Sequence, residues 1–448
     1  MNTTIQTTMR VSGHLSVPMI LVGMLAWGWL SGCGKPHERI REDIPVIRVS
    51  MVDKQEIPEK DSTVAPRDIE PFMKTGLKWL AAAQHPDGGW GAGSHANQEM
   101  RDPNAVQTDP GTTAFTAMAF LRAGNTVNSG EYRENIRKAL QKIIAVVDAS
   151  KEENPNVTDL AGTQPQVKLG QYIDVSLCAQ FLAKVLPNLD DEPALKQRTT
   201  AALDKCVRKI EHSQKADGSW NHGGWAPVLS STMANSALEY AQSAGRDVDK
   251  KVVARSQEYQ MQNFDTVSGK VKTESAAGVA LYSSASGQRS TATDAVRARQ
   301  VIVQAQKAGT LKEKDDVTLK NLMTGGASKA EAEGMYRAYK QNQAAVKSLS
   351  DEQMLSGFGN NGGEEFLSYM LTSESMVMNG GKAWADWNEK MHSRLSKIQN
   401  PDGSWSGQHC ITSPVFCTAA VMLCLTADRD AKALVGSATD PFRNRRIN

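Results

Sequence analysis

The chain has 448 residues, which is long for one ordinary hydrophobic core and indicates several domains or one large repetitive architecture. Its 40% hydrophobic and 22% charged residues are typical of a globular protein, and a net charge of +2 gives no reason to expect a nucleic-acid partner. Six cysteines in a chain of this length exclude a small disulfide-stabilised scaffold.

The first 32 residues have the pattern of a bacterial lipoprotein signal peptide. Arg10 is the only charged side chain before a mostly apolar run, residues 17–30, which is too short to span a bilayer comfortably. The run ends in Leu-Ser-Gly-Cys, which resembles the lipobox where such proteins are cleaved and lipidated. We therefore predict that lipid on Cys33 anchors an extracytoplasmic body to a bacterial membrane, on the periplasmic side or at the cell surface; an uncleaved anchor is the alternative.

Residues 33–65 are predicted to form a disordered tether. The segment contains no aromatic residue and is rich in charge and proline, so it cannot bury enough apolar surface to fold. A flexible chain of this length reaches on the order of 30 Å, enough to hold a folded body clear of the membrane. We place that body at residues 66–428, followed by a C-terminal tail at residues 429–448.

The body contains three copies of the motif Q-x-x-D-G-x-W, at residues 84–90, 214–220 and 399–405. Their spacing fits two and then three units of roughly 60 to 65 residues, the kind of period that marks a repeat architecture. This spacing predicts six units in total, three of which have lost the motif. Each copy lies between a helix with apolar periodicity and a second helix rich in small residues.

The motif residues are interpreted as structural. Asp-Gly supplies the positive φ of a tight turn, the indole anchors the turn and donates its N–H to a carbonyl, and the glutamine caps exposed backbone groups. These residues are Gln84, Asp87 and Trp90 in the first copy, Gln214, Asp217 and Trp220 in the second, and Gln399, Asp402 and Trp405 in the third.

Placed between an outer helix and a small-residue inner helix, this motif resembles the QW repeat of squalene-hopene cyclases and related prenyltransferases. The resemblance covers most of residues 66–428. It implies an all-α fold, an α/α toroid in which six inner helices surround a central cavity and six outer helices pack outside them. Residues 291–350 are rich in Ala, Lys, Gln and Glu, and are predicted to be a solvated helical excursion from this ring.

In such a toroid, residues at the starts of the inner helices meet around one mouth of the cavity, where helix dipoles favour anions. Carboxylates at these positions either act on a ligand or cap helix ends, and both interpretations remain open. The candidate catalytic residues are Asp109, Asp174, Glu364, Glu365 and His409, and the candidate ligand contacts are Tyr172, Trp225, Cys410 and Cys417.

The cyclases of the family protonate an alkene with a D-x-D-D motif, which this chain lacks. A single aspartate, such as Asp109, is a poor acid for an alkene. The family's cavities are also lined with aromatic side chains that stabilise cations, whereas aromatic residues make up only 6% of this chain. Polyene cyclisation is therefore not expected.

Two metal-dependent chemistries are also implied by similar toroids. Prenyltransferases hold zinc with aspartate, cysteine and histidine, and residues of these types occur here without the family's D-x-C spacing; they are Asp174, Cys178, His409, Cys410 and Cys417. A disulfide between the last two is the alternative. Toroidal pectate lyases use arginine and calcium, for which Arg101 and Asp102 are the nearest pair.

The leading functional hypothesis is a membrane-tethered protein that binds, and in one variant of the hypothesis modifies, an isoprenoid-like or other apolar ligand in its central cavity. The alternatives are a lyase-type enzyme acting on a glycan, and a non-catalytic scaffold or partner-binding module. A cavity lined by apolar and aromatic side chains would favour the lipid-binding hypothesis. Carboxylates together with arginine and calcium would favour the lyase, and a filled centre would favour the scaffold. Zinc and calcium both stay open as cofactors.

Overall fold

The computed structural model describes residues 64–265, 271–349 and 351–436. All of these residues belong to the unit Glu56–Asn448, and all that follows concerns that unit. The predicted signal peptide, Cys33 and nearly all of the tether lie outside the described residues. Within those residues, no helix has both the length and the apolar character needed to cross a bilayer.

The described ranges contain sixteen α-helices and no β-strand, only isolated bridges such as the one between Trp90 and Asp109. In chain order the helices are α1 (Pro71–Ala82), α2 (Pro110–Arg122), α3 (Arg133–Ala149), α4 (Gln164–Leu169), α5 (Ile173–Val185), α6 (Pro193–Ser213), α7 (Pro227–Ser243), α8 (Lys250–Gln262), α9 (Ala280–Lys307), α10 (Leu319–Thr324), α11 (Lys329–Ser348), α12 (Glu352–Leu355), α13 (Gly363–Asn379), α14 (Gly381–Ser396), α15 (Pro414–Leu425) and α16 (Ala431–Gly436).

Six helices form a closed inner ring. In ring order they are α2, α5, α7, α9, α13 and α15, each packed against the next, and α15 packs against α2. Every residue of α13 and of α15 is buried. Because protein surrounds these helices on all sides, they are not amphipathic, and their many Ala, Ser and Thr residues allow close approach of neighbouring backbones.

Six further helices pack on the outside of this ring: α1, α3, α6, α8, α11 and α14. Each is amphipathic, as α3 illustrates, where Ile136, Leu140, Ile143 and Val147 recur at helical spacing and are buried. The predicted all-α fold, a toroid of six inner and six outer helices, is confirmed within the described residues.

The prediction for residues 291–350 was wrong in its main point. Helix α9 is a member of the inner ring and α11 is the outer helix packed along it. Only the distal part of the pair, with α10, forms a separate small apolar cluster, around Val301, Ile302 and Leu322. The pattern misled because an inner helix can bury polar side chains, such as Thr291 and Thr293, that normally mark a solvated face.

The boundary of the predicted C-terminal tail also needs correction. Asp430 accepts hydrogen bonds from Arg122 and Lys184, each at 2.7 Å, and α16 packs on α9 and α13. The backbone N–H of Arg67 donates to Asp428 at 2.8 Å, which ties the two ends of the body together. The folded body therefore extends to at least residue 436.

The three repeat turns share one geometry. In each, the glycine after the aspartate has a positive φ, the aspartate accepts the backbone N–H two residues later, and the indole N–H donates to a carbonyl at the end of the preceding outer helix. The indole bonds run from Trp90 to Leu80, from Trp220 to Ile210 and from Trp405 to Leu395, each at 2.8 Å.

The motif glutamines connect neighbouring repeats. Each side-chain amide donates to a carbonyl in its own turn and to a carbonyl of the next outer helix around the ring. The second contacts join Gln84 to Asn135, Gln214 to Val252, and Gln399 to Phe72, at 2.8–2.9 Å. The last glutamine thus closes the ring with the bond that the first two use between successive repeats.

Candidate functional site

The inner ring has two chemically different ends. At one end the starts of the inner helices meet: the side chain of Asp174 in α5 accepts the backbone N–H of Gly111 in α2, and Gln164 accepts the N–H groups of Thr412 and Ser413 before α15. This end is called the mouth below. The far end, where the inner helices finish, carries a buried ion network.

At the mouth, Asp109 and Asp174 together cap α2. Asp109 accepts the backbone N–H groups of Thr112 at 2.6 Å and Ala92 at 2.9 Å. Asp174 accepts from Gly111 and from two side-chain amides. Burial and the neighbouring carboxylate raise the pKa of Asp109 to about 7, and burial raises that of Asp174. All four carboxylate oxygens have donors, which favours the helix-capping interpretation over the catalytic one.

Glu364 and Glu365 lie in the first turn of α13, at the same mouth, and differ in their hydrogen-bond partners. Glu365 accepts the hydroxyl of Tyr282 at 2.6 Å and the backbone N–H groups of Gly362 and Phe358. Glu364 accepts the backbone N–H of Ile411, at 3.3 Å, and its own backbone N–H also stabilises its carboxylate. Burial, and then the charge of Glu365, raises the pKa of Glu364 to about 7. Glu364 is therefore a buried acid that is held less tightly by hydrogen bonds than Glu365.

Next to the glutamates, Cys410 adopts a positive φ of 60°, which is strained for a residue with a side chain. Burial and the charge of Glu364 raise the pKa of its thiol to about 11, so it is not a thiolate at neutral pH. The buried Lys168 ammonium lies beside this thiol and 3.4 Å from the centroid of the Trp225 indole. Trp225 itself is 57% exposed.

His409 and Phe358 complete the other side of the mouth. The His409 Nε2 atom bonds to the Asn360 carbonyl at 3.0 Å and lies 3.6 Å from Glu365. Its ring lies 5.5 Å from that of Phe358, which is 62% exposed. These contacts define the mouth cluster: Lys168, Trp225, Tyr282, Phe358, Glu364, Glu365, His409 and Cys410.

The remaining predicted site residues have other surroundings. The ring of Tyr172 packs on that of His222, with centroids 4.5 Å apart. The buried thiol of Cys417 donates to the carbonyl of Ile411, and both it and Cys410 are free, so the disulfide alternative is wrong. Arg101 donates to the carbonyls of Gln98, Gly407 and Thr412, and Asp102 caps a short turn. The side chains of Arg101 and Asp102 thus form hydrogen bonds with backbone groups.

At the far end, charged side chains cross the centre of the ring. Glu374 on α13 accepts from Arg122 on α2 at 2.5 Å, from Arg289 on α9 at 2.8 Å and from the Tyr240 hydroxyl on α7 at 3.2 Å. Helices α2 and α7 are not ring neighbours of α13, so these bonds span the ring. Burial would raise the pKa of Glu374, but the two arginines outweigh it and lower the pKa to about 2.

Between the two ends, side chains fill the ring. Phe115 on α2 and Phe416 on α15 stack with centroids 4.8 Å apart, and neither is exposed. The helices α13 and α15 are buried along their whole length, so the centre is not the open cavity that the sequence led us to expect. A groove of about 230 Å³ lies outside the cluster, between residues 93–107 and 160–163, and no titratable side chain lines it.

Metal-binding geometry is not found in the part of the chain that the structure describes, where no three His, Cys, Asp or Glu side chains are arranged so that they could hold a metal ion. The Cys178 thiol, one of the predicted zinc ligands, instead donates to the carbonyl of Pro110. Sequence reasoning missed Lys168, Tyr282 and Phe358, which come from segments without a repeat motif. Exposure is the signal that separates Trp225 and Phe358 from other aromatic residues, and the sequence does not show it.

Comparison with known proteins finds no match to a protein-family model and none to a curated protein. Two solved structures are similar over most of the chain. The apo type II terpene cyclase MstE from Scytonema has a TM-score of 0.29 and 11% identity, covering 79% of this chain and 96% of that one. A variant of the same cyclase with geranylgeranyl dihydroxybenzoate has a TM-score of 0.31 and 11% identity, covering 80% and 97%.

Proposed function

We propose that this protein is a membrane-tethered, extracytoplasmic toroid that binds an isoprenoid-like or other apolar small molecule at its mouth cluster. The apolar part of the ligand packs on Trp225 and Phe358, and its polar end meets Glu364. The proposed ligand site is thus at the mouth, whereas the sequence led us to expect it at the centre of the ring.

The observation that carries this proposal is the pair of exposed aromatic rings around a buried acid. Among the described residues, the large hydrophobic side chains that stand exposed are Trp225, Met323, Phe358 and Ile398, and two of these four flank the mouth cluster. Apolar surface beside a few converging polar groups is the usual composition of a small-molecule site. Glu364, which has fewer side-chain partners than Glu365, supplies the polar contact that fixes the orientation of a ligand.

Binding of a fluorescent farnesol derivative to the detergent-solubilised full-length protein tests this proposal. We expect saturable binding that Trp225→Ala and Phe358→Ala each weaken by about tenfold, because each variant removes one apolar face. Met323→Ala is the matched control, since it removes an exposed large side chain on α10, away from the mouth. Equal binding by all four proteins would contradict the proposal.

The filled centre of the ring favours a second candidate, a non-catalytic module that binds a partner protein. A ring with buried inner helices needs no internal ligand to be stable. Crosslinking in intact cells separates the candidates. A protein adduct formed through a photoreactive residue at position 225 or 358, with no bound lipid after purification, would support the module.

The tether has its own test. If lipid on Cys33 anchors the chain, wild-type protein fractionates with membranes and incorporates labelled palmitate, whereas Cys33→Ala does neither. Release of wild-type protein by a high-salt wash would contradict a lipid anchor, because salt screens charge contacts and leaves hydrophobic insertion intact.

A further inference from the structure

Two long loops at the mouth end of the ring form the groove of about 230 Å³. Residues 91–109 connect the first repeat turn to α2, and residues 150–163 connect α3 to α4. The segment that connects the second repeat turn to α7, residues 221–226, is much shorter. The first loop therefore carries more chain than its connection requires, and such loops often hold binding sites.

The two loops fix each other in place. Ser94 and Thr163 form an antiparallel bridge, flanked by backbone hydrogen bonds of 2.9 and 3.0 Å that join the loops. Gly93 lines the groove with a positive φ of 77°, and a Cβ atom there would lie 3.0 Å from the side chain of Val106. Glycine therefore leaves space at this point, and the groove is formed before any ligand arrives, which lowers the entropy cost of binding.

The lining of the groove is uncharged. Met100, Val106 and Leu160 contribute apolar side chains, and Asn97 and Gln107 contribute side-chain amides. Among the described residues, no lysine, arginine, histidine, aspartate or glutamate lines the groove. A charged group that entered would lose hydration without gaining an ion partner, so the groove disfavours charged ligands.

Hydrogen-bonding groups on both loops are free. The backbone N–H groups of Val106 and Gln107 in the first loop, and of Ala161 in the second, have no acceptor among the described residues. The side-chain amides of Asn97 and Gln107 have no protein partner within the same residues, and each amide offers both donors and an acceptor. The backbone of an extended peptide also carries a donor and an acceptor at each residue, so it matches this set of groups.

We propose that the groove binds an extended, uncharged peptide segment of a partner protein. The backbone of the segment bonds to the free groups of the two loops, and one apolar side chain packs against Met100, Val106 and Leu160. The volume supports this occupant, because pockets that enclose whole drug-sized ligands measure about 300–1,000 Å³, whereas about 230 Å³ suits one side chain whose backbone crosses the rim. This site shares no residue with the mouth cluster and goes beyond the ligand proposed there.

Phage display of random octapeptides tests the inference, with the detergent-solubilised full-length protein as the target. We expect enriched sequences to share leucine, methionine or valine at one position, without a charged residue next to it. Ala105→Trp is the blocking variant, because Ala105 is exposed and lines the groove, so an indole there fills the groove and leaves the core unchanged. Ala330→Trp, at an exposed position of α11 outside the groove, is the matched control.

Fluorescence anisotropy then measures binding of the most enriched peptide. Ala105→Trp should weaken binding about tenfold or more, whereas Ala330→Trp and Trp225→Ala should leave it unchanged within about twofold. Aspartate or lysine in place of the shared apolar residue should weaken binding by about tenfold, since the groove offers no ion partner. N-methylation of the peptide backbone next to that residue should also weaken binding by about tenfold, because it removes a hydrogen bond.

Four results would overturn the inference. If no sequence is enriched on the wild-type protein over the Ala105→Trp variant, the groove binds no peptide. Shared charged residues in the enriched sequences would contradict the uncharged class, and unchanged affinity after N-methylation would contradict recognition of the backbone. Loss of binding in Trp225→Ala, with Ala105→Trp unaffected, would assign the peptide to the mouth cluster instead.

Discussion

At the residue scale, the tryptophans of the repeat act through one hydrogen bond each. Trp90, Trp220 and Trp405 are buried, and each indole N–H reaches the carbonyl of the residue ten positions earlier. That carbonyl lies in the last turn of an outer helix, where the residue four positions later is already outside the helix. The indole therefore combines a large apolar contact with a C-terminal helix cap, which explains why phenylalanine is not an equivalent residue.

Trp90→Phe tests this role. The ring volume is largely kept, but the carbonyl of Leu80 loses the indole donor, so we expect the free energy of unfolding to fall by about 1–3 kcal/mol. Urea denaturation followed by circular dichroism measures the change. The control is Trp225→Phe at the exposed ring, for which the change should stay within about 0.5 kcal/mol. A similar loss in both variants would point to ring volume as the cause.

Glu364→Gln gives a pH-dependent prediction. Because the pKa of Glu364 is raised from 4.5 to about 7 on folding, the stability linked to its protonated form is complete below about pH 4.5 and is lost as the pH rises through 7. Glutamine does not ionise. The variant should match wild type at pH 4 and exceed it at pH 8 by on the order of 2 kcal/mol. Thermal unfolding at the two pH values, with Asp386→Asn as control, measures this; a gain at pH 4 alone would be the wrong sign.

At the element scale, sequence and structure agree best where a motif carries the geometry. The three Q-x-x-D-G-x-W turns, their flanking helices and the ring they imply followed from the sequence. The part of α9 after residue 290 did not, because Thr291 and Thr293 are polar yet buried, and a helix enclosed by protein loses the apolar stripe that identifies it. The mouth cluster was predicted in part: the glutamates and Trp225 were found from helix starts, while Tyr282 and Lys168 depend on tertiary contacts alone.

The junction of α2 and α5 offers a prediction for this scale. A Cβ atom at Gly111 would lie 2.5 Å from the Asp174 carboxylate that caps α2, so Gly111→Ala should lower the free energy of unfolding by about 1–3 kcal/mol, despite the higher helix propensity of alanine. Gly334→Ala in α11 is the control. No heavy atom lies within 4 Å of its added Cβ, and stability should rise by about 0.5–1 kcal/mol. Differential scanning calorimetry of both variants decides between strain and propensity.

At the scale of the whole molecule, the far end of the ring is held by charge. Arg122, Lys184 and Arg289 balance Glu239, Glu374 and Asp430, and the Arg122 and Arg289 side chains are 2% exposed. A balanced network of this kind adds little net energy over an apolar core, but it tolerates no missing partner. Because its members come from five inner helices and from residue 430, it also defines which helices can face one another.

Glu374→Gln should therefore destabilise the fold by about 3–5 kcal/mol at pH 7, since it leaves two buried arginines without their shared carboxylate. The pKa of Glu374 is lowered to about 2, so its contribution is present above about pH 4.5 and is lost as the pH falls toward 2. The deficit of the variant should shrink over that interval in acid denaturation. Asp386→Asn, at an exposed pair, should cost less than about 0.5 kcal/mol.

The bond from Gln399 to Phe72 has a consequence for the order of events during synthesis. It joins residues 327 positions apart, yet it is the bond that joins adjacent repeats elsewhere in the ring. The first outer helix, α1, therefore cannot form its contact with the last repeat until that repeat has been synthesised. Until then, the apolar faces of the first and last repeats that meet when the ring closes stay exposed, as in an open solenoid whose end repeats lack caps. A growing chain is thus most prone to self-association until residues 399–425, the last repeat turn and its inner helix, have been synthesised.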